Sequence, residues 1–244
     1  MNIEDEDLSA KVILEVGSGR GDTTRKLVNL LSGKPGARLI VTDISDKFFQ
    51  QLSDEFQSKD VELQFICTGG HELRSIPDQA IDYLVCNYTL CAINSEAGLV
   101  AWALKRFWEV LKLNGKLFVE EEFPISKQDT LPQEVWAEKW RILKASMILA
   151  KQPLFNEISP ELLTSLCCLA GFEKVEWIAH TELFTGIETL DFFQKRLDGL
   201  LKQISNENLR TGFTEMAVNL RKKTSQAGGM EIPFYQLVAQ KTAG

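Results

Sequence analysis

The chain predicts a doubly wound α/β sheet, and three observations carry that reading. Short apolar runs of strand length alternate with stretches of helical spacing along most of its 244 residues. A glycine-rich turn closes the first of these runs. The hydrophobic fraction of 44% and charged fraction of 25% are those of an ordinary globular protein. At about 150 residues per domain, the length predicts one large domain or one domain with a cap.

Val12-Ile13-Leu14-Glu15-Val16 is a continuous apolar run ending at Gly17, as suits a strand buried on both faces. A helix follows over roughly 22–32, with Asp22 or Thr23 as N-cap, and Gly33-Lys34-Pro35-Gly36 ends it. Arg38–Asp43 is the second strand. Ser45 opens a helix carrying Phe48, Phe49, Leu52 and Phe56. Val61–Cys67 and Ile81–Asn87 are the third and fourth strands. Residues 96–111 form a helix with Leu99, Ala103, Phe107 and Val110 on one face. Asn114-Gly115 turns the chain into a fifth strand, Lys116–Glu121. Ser159-Pro160-Glu161 starts a helix with a capping serine and a proline at the first position, and Gly171 ends it. Val175–Ile178 and Phe234–Gln240 are strand-like, with Pro233 at the entry to the latter.

Composition excludes several functional classes. Lys and Arg number 27 against 34 Asp and Glu, so the net charge is −7. That argues against a protein whose main affinity comes from neutralising phosphates, and no nucleic-acid partner is expected. No apolar run reaches membrane-span length, and MNIEDEDLSA lacks the regions of a signal peptide. A cytoplasmic setting is expected. Of the five cysteines, Cys67, Cys86, Cys91, Cys167 and Cys168, none forms a CxxC pair. Cys67 and Cys86 are expected to act as small buried hydrophobes. The two histidines, His71 and His180, show no paired ligand spacing, so no metal is expected.

The chemistry begins at the first strand end. In Glu15-Val16-Gly17-Ser18-Gly19-Arg20-Gly21, glycines allow a sharp turn and leave no Cβ between backbone and ligand. Open α/β sheets bind ligands at the carboxyl ends of their strands. Asp43 ends the next strand, where a carboxylate accepts both hydroxyls of a ribose; its structural alternative is a helix N-terminal charge. Nicotinamide dinucleotides prefer GxGxxG, but the position for that third glycine holds Asp22. The spacing here is GxGxG.

With this motif, written VILEVGSGRGD, and with IVTD, the chain resembles the class I S-adenosylmethionine-dependent methyltransferases. The resemblance continues through IPDQAIDYLVCNYTL, WEVLKLNGKLFVEE and SPELLTSLCCLAGFEKVE, over residues 11–122 and 159–180. Its small-molecule branch, typified by quinone-biosynthesis methyltransferases, is the most similar in flavour. The resemblance implies a Rossmann-like sheet of seven strands, mostly parallel, with the last strand antiparallel beside strand 5. It implies that Gly17, Ser18, Gly19 and Gly21 pass against the methionine part of the cofactor, S-adenosylmethionine. Glu15 would hold the turn and place the ammonium, Asp43 would bind the ribose and Ile44 would touch the adenine. Asn87 and Tyr88 would lie beside the methionine moiety and the reactive methyl.

Two departures stand out. The acidic residue that the family often places after strand 3 falls here on glycine, in Cys67-Thr68-Gly69-Gly70-His71-Glu72. Glu72 or a backbone carbonyl would substitute, and His71 is either near the adenine or an ordinary loop histidine. Only about ten residues precede the first strand, where many relatives carry covering helices.

Methyl transfer needs a dedicated base only when the nucleophile arrives protonated. No catalytic dyad is legible; Tyr88 and Glu121 are the catalytic candidates, with Glu120 and Glu122 on the opposite face of the strand from Glu121. The asparagine-proline-proline-aromatic motif of amino-methylating nucleic-acid enzymes is absent, since the loop reads Asn87-Tyr88-Thr89-Leu90.

Residues 123–158 and 181–230 lie outside the shared core and are expected to form a helical cap that sets substrate specificity. Trp136, Trp140 and Met147 share a helical face there and would wall the substrate, or form ordinary core, or a homodimer interface. Phe192, Phe193, Leu197, Leu200 and Leu201 precede a polar helical region ending at Gly228-Gly229. The resulting expectation is methyl transfer to a small or medium apolar molecule. The alternatives are a non-catalytic cofactor-binding regulator or scaffold, and an enzyme that methylates protein.

Overall fold

The computed structural model describes residues 2–57, 59–96, 98–125 and 128–243. In chain order the elements are β1 (Val12–Val16), α1 (Asp22–Leu31), β2 (Arg38–Asp43), α2 (Phe49–Phe56), β3 (Glu62–Cys67), β4 (Ile81–Asn87), α3 (Leu90–Ile93), α4 (Leu99–Val110), β5 (Leu111–Glu122), α5 (Leu131–Leu149), α6 (Pro160–Ala170), β6 (Glu173–Thr185), α7 (Asp191–Leu201), α8 (Glu207–Ala227) and β7 (Gly229–Gln240). Seven strands form one sheet in the order β3-β2-β1-β4-β5-β7-β6. The β1–β2, β1–β4, β2–β3 and β4–β5 pairs are parallel. β7 runs against β5. Asn114 N–H donates to Lys241 O at 2.8 Å and Gln236 Nε2 to Glu120 Oε2 at 2.9 Å, so numbers fall along β7 as they rise along β5.

The chain divides into two compact units. Unit 1 comprises Met1–Glu121, Glu157–Ile178 and Tyr235–Gly244; unit 2 comprises Glu122–Asn156 and Ala179–Phe234.

In unit 1 the central strands β1 and β4 are buried on both faces, which is why they read as mostly hydrophobic runs broken only by Glu15 and Asp82 before the strand-end Asn87. Ile13, Leu14 and Leu84 are fully buried. α1 packs Leu27, Val28 and Leu31 into a core with Ile13, Leu39, Val41 and Leu52. α4 buries Val100, Ala103, Leu104, Phe107 and Val110 along one stripe. The Ser159 side chain caps α6 by accepting from Leu162 N–H, Pro160 opens the helix, and Gly171 ends it with φ of 106°. Lys241 Nζ donates to Trp108 O and Leu111 O, both at 2.8 Å, and so places a cation on the last carbonyls of α4.

Unit 2 is built on α5, α7 and α8. Val135, Trp136, Leu143, Met147, Phe193, Leu197, Leu200, Phe213 and Leu220 form its core. Thr130 caps α5 and Asn206 caps α8 through their side chains. Lys223 Nζ bridges Glu134 and Glu138, each at 2.9 Å, tying α8 to α5.

Several sequence expectations are corrected. α1 has no side-chain cap: its N-cap is Gly21, with φ of 90°, because the glycine loop turns into the helix through the left-handed region. α2 begins at Phe49, after a turn in which Asp43 Oδ1 accepts Ser45 N–H. Asn114-Gly115 does not precede β5; it forms an irregularity inside it. Asn114 takes φ of 65°, and the β4–β5 register shifts between Ile81 and Tyr83, a bulge that asparagine tolerates. Pro233 lies inside β7, where its carbonyl accepts Phe123 N–H at 3.1 Å just past the end of β5. Cys86 is buried as expected, but Cys67, last residue of the edge strand β3, is exposed. Among the described residues no helix is long and apolar enough to cross a membrane.

Candidate active site

The carboxyl ends of β2, β1 and β4, adjacent in the sheet, gather most of the predicted site residues within unit 1. Gly17 N–H and Ser18 N–H both donate to Thr42 O, at 2.8 and 3.0 Å, and Gly21 N–H closes back on Ser18 O at 2.8 Å. This folds the loop after β1 tightly over the end of β2. Gly17, Gly19 and Gly21 all have φ in the left-handed region. Their surroundings differ. A Cβ on Gly17 would overlap the Thr89 side chain, and one on Gly21 would overlap Leu52. A Cβ on Gly19 would meet nothing within 4 Å, so the loop is open at Gly19.

Glu15 is only 1% exposed. Thr24 Oγ1 donates to its Oε2 at 2.8 Å, while Oε1 is buried with no hydrogen-bond partner. Burial pushes its carboxyl up to about 7, against the Thr24 hydrogen bond, and the nearby Asp43 charge adds to the rise. Ser18 Oγ is a second buried oxygen without a partner. A buried acceptor and a buried hydroxyl left unsatisfied, beside an open glycine, fit a ligand that brings both an ammonium and a carboxylate. The residues present therefore fit the amino-acid end of S-adenosylmethionine.

Asp43 is half-buried and holds the loop as well as facing the site. Its Oδ2 accepts Gly19 N–H at 2.8 Å and its Oδ1 accepts Ser45 N–H at 2.9 Å. Each carboxylate oxygen keeps a further lone pair for a ribose hydroxyl. Ile44 follows, 77% exposed, as a bare apolar side chain suited to an adenine face. After β3, His71 and Glu72 lie together, with Nε2 and Oε1 3.9 Å apart, and Arg74 Nη2 donates to the same Glu72 oxygen at 2.6 Å. Glu72 is thus already engaged by a cation.

Asn87 ends β4 opposite Glu120 of β5. Tyr88 turns the chain with φ of 52°, donates its N–H to Glu120 O at 2.7 Å, and is largely exposed. Glu121 points the other way and is buried; its Oε1 accepts Leu90 N–H at 2.6 Å and Cys91 N–H at 3.3 Å. Burial, with the charges of Glu121 and Glu15, raises the Cys86 thiol well above its ordinary range, so Cys86 is an inert core thiol.

Trp136, Trp140 and Met147 do share α5, in unit 2. Trp136 and Met147 are taken into the core of that unit, and Trp140 packs on its margin. Both indoles donate Nε1–H to Glu122 Oε2 at 2.5 Å. Sequence reading missed this pairing, and it missed Thr24, Thr42 and Thr89, the hydroxyl residues that brace the loop. Thr24 alone left a trace: a polar residue on the stripe of α1 that buries Leu27, Val28 and Leu31.

Residues 13–115 match the family model described as a methyltransferase domain. No curated protein matches the sequence. Among solved structures, a cyclopropane-fatty-acyl-phospholipid synthase-like protein from Lactobacillus casei superposes with a TM-score of 0.67 at 16% identity, covering 95% of this chain and 85% of that one. A putative methyltransferase from Bacillus halodurans gives 0.63 at 10%, with 99% and 96% covered. Phosphoethanolamine N-methyltransferase 2 of Haemonchus contortus, solved with phosphomonomethylethanolamine and S-adenosylhomocysteine, gives 0.56 at 13%, with 96% and 49% covered. Residues 13–115 are thus similar to a methyltransferase domain, and the sheet around them has the Rossmann-like fold of the methyltransferase structures it superposes on.

Proposed function

We propose that the chain is an S-adenosylmethionine-dependent methyltransferase acting on a small or medium apolar molecule, with unit 1 holding the cofactor and unit 2 acting as the specificity element. The observation that carries the cofactor assignment is the pair of unsatisfied buried oxygens, Glu15 Oε1 and Ser18 Oγ, beside open Gly19. When bound, S-adenosylmethionine supplies an electrophilic methyl group on a sulfonium. Glu15 receives the ammonium, Ser18 the carboxylate and Asp43 the ribose hydroxyls. Ile44 covers the adenine, with His71 at its edge. Asn87 and Tyr88 border the methyl position, where the protein's contribution is orientation and exclusion of water. The apolar acceptor is supported by the partly buried aromatic pair Trp140 and Phe155, whose ring centroids lie 6.1 Å apart edge to face. A cytoplasmic setting belongs to the same reading.

A cofactor-binding module without turnover is the second reading. It is favoured by Glu121, one of the two catalytic candidates, spending an oxygen on backbone amides. Titration calorimetry with S-adenosylhomocysteine tests the shared part. Incubation with S-adenosylmethionine and a panel of apolar phenols, quinols and amines, following S-adenosylhomocysteine release, separates the two. Micromolar binding with acceptor-dependent release supports the enzyme; binding with no release across the panel favours the module; absence of binding ends both.

A further inference from the structure

We infer that Glu121 is a positioning residue for the cofactor site: its carboxylate fixes α3, and α3 sets how the loop after β1 and the loop after β3 stand against each other. The inference rests on the cofactor reading above. α3 has four residues, Leu90–Ile93, far too few to hold helical structure on their own. Something outside it must hold it in place. Glu121 Oε1, on β5, does so by accepting Leu90 N–H and Cys91 N–H. The residue entering this turn, Tyr88, sits at φ of 52°, a conformation that a bulky side chain keeps only when its surroundings impose it.

The held segment then reaches both loops. At its start, the Thr89 side chain fills the space a Cβ on Gly17 would need, and its Oγ1 lies between two acceptors, Asn87 O at 3.0 Å and Gly17 O at 3.3 Å. At its end, Ile93 packs on Gly70 so closely that a Cβ there would stand 2.8 Å from Ile93 Cδ1 and 2.9 Å from Val16 Cγ1. Gly17 belongs to the loop assigned to the methionine end, and Gly70 to the loop beside His71, assigned to the adenine end. One buried carboxylate on β5 therefore braces a single turn of helix that touches the supports of both ends of the cofactor. Glu121 acts through α3 and is not a proton acceptor for substrate.

The test compares Glu121→Ala with Glu121→Gln, which keeps an acceptor oxygen, and with Leu163→Ala, a buried position in α6, a helix that packs on α4, chosen as a stability control. The readouts are amide hydrogen exchange across 88–93, affinity for S-adenosylhomocysteine by calorimetry, and melting temperature. Glu121→Ala should speed exchange at Leu90 and Cys91 and weaken binding at least tenfold. Glu121→Gln should bind within about threefold of the parent. Leu163→Ala should lower the melting temperature while binding like the parent. Unchanged exchange in Glu121→Ala would show that Glu121 does not hold α3. Faster exchange with parental affinity would show that α3 does not set the site. A tenfold loss in Leu163→Ala as well would reduce the effect to stability and overturn the positioning role. A parent protein that binds no S-adenosylhomocysteine overturns the cofactor reading itself, whatever the exchange shows.

Discussion

Glu15 in unit 1 and Glu122 in unit 2 are both strand carboxylates, and their hydrogen bonding is opposite. Glu122 Oε2 is saturated by two indole donors. Glu15 is more deeply buried, yet keeps Oε1 without a partner. An unmet buried acceptor costs about 1–3 kcal/mol, so a fold that keeps one keeps it against its own stability. The saturated carboxylate is an anchor that fastens α5 to the end of β5. The unsaturated one is the open acceptor on which the proposed cofactor site rests.

The contrast can be broken most forcefully at the anchor. Glu122→Ala should lower stability by about 3 kcal/mol, because two indole N–H groups lose their acceptor. Denaturant unfolding reads the loss, and calorimetry with S-adenosylhomocysteine should show parental affinity. A binding loss as large as the stability loss would erase the distinction between anchor and site.

Asp43→Ala should act chiefly on binding, with a smaller stability loss from the Gly19 and Ser45 amides it releases. Losing hydrogen bonds to a charged group costs about 1.5–3 kcal/mol, or roughly 10- to 100-fold in cofactor affinity. Unchanged affinity in a folded variant would place the ribose elsewhere.

Glu15→Gln sharpens the comparison through pH. Burial lifts the Glu15 carboxyl from 4.5 to about 7, so between those values the native state holds a proton that the unfolded chain has released. Stability from this group is therefore full below about 4.5, falls as pH rises to about 7, and is level above, a change of at most about 3 kcal/mol. The ammonium meets only the charged carboxylate, so cofactor affinity should rise over the same interval. Glu15→Gln should flatten both profiles; a parental slope in the variant would assign the pH dependence to another group.

The smallest effect belongs to Gly19→Ala. With nothing within 4 Å of the new methyl, it should cost only the left-handed strain, about 1 kcal/mol, while weakening cofactor binding. Gly17→Ala, which drives a methyl into Thr89, should destabilise more. Equal thermal shifts for the two would remove the assignment of Gly19 as the open position.

Much of unit 1 was legible because its signals are local. A strand buried on both faces is mostly apolar, a helix cap often carries an oxygen, and a turn with φ in the left-handed region favours glycine. β1, β4 and α6 follow from those rules, and so does the clustering of Glu15, Gly17–Gly21 and Asp43. Glu121 and the tryptophans of α5 were not legible, because their partners are set by tertiary placement. Alternation along β5 separated Glu121 from Glu120 and Glu122, but nothing in the sequence says that one meets the amides of Leu90 and Cys91 and another meets two indoles. The roles of Thr42 and Thr89 were hidden for the same reason: the Thr42 hydroxyl donates to Glu15 O and the Thr89 side chain packs on Gly17, both distant in sequence.

The position of β7 bears on how the protein is made. It is the last strand in the sequence, yet it lies between β5 and β6, both translated before it. While the ribosome is still reading α8, β5 and β6 each lack the neighbour that will join them, and β6 has no place in the sheet. Unpaired strand edges invite pairing with other chains. Until β7 emerges and slots in, the nascent protein carries such an edge on β5, together with a β6 not yet docked, and this is the interval in which a chaperone would matter most to it.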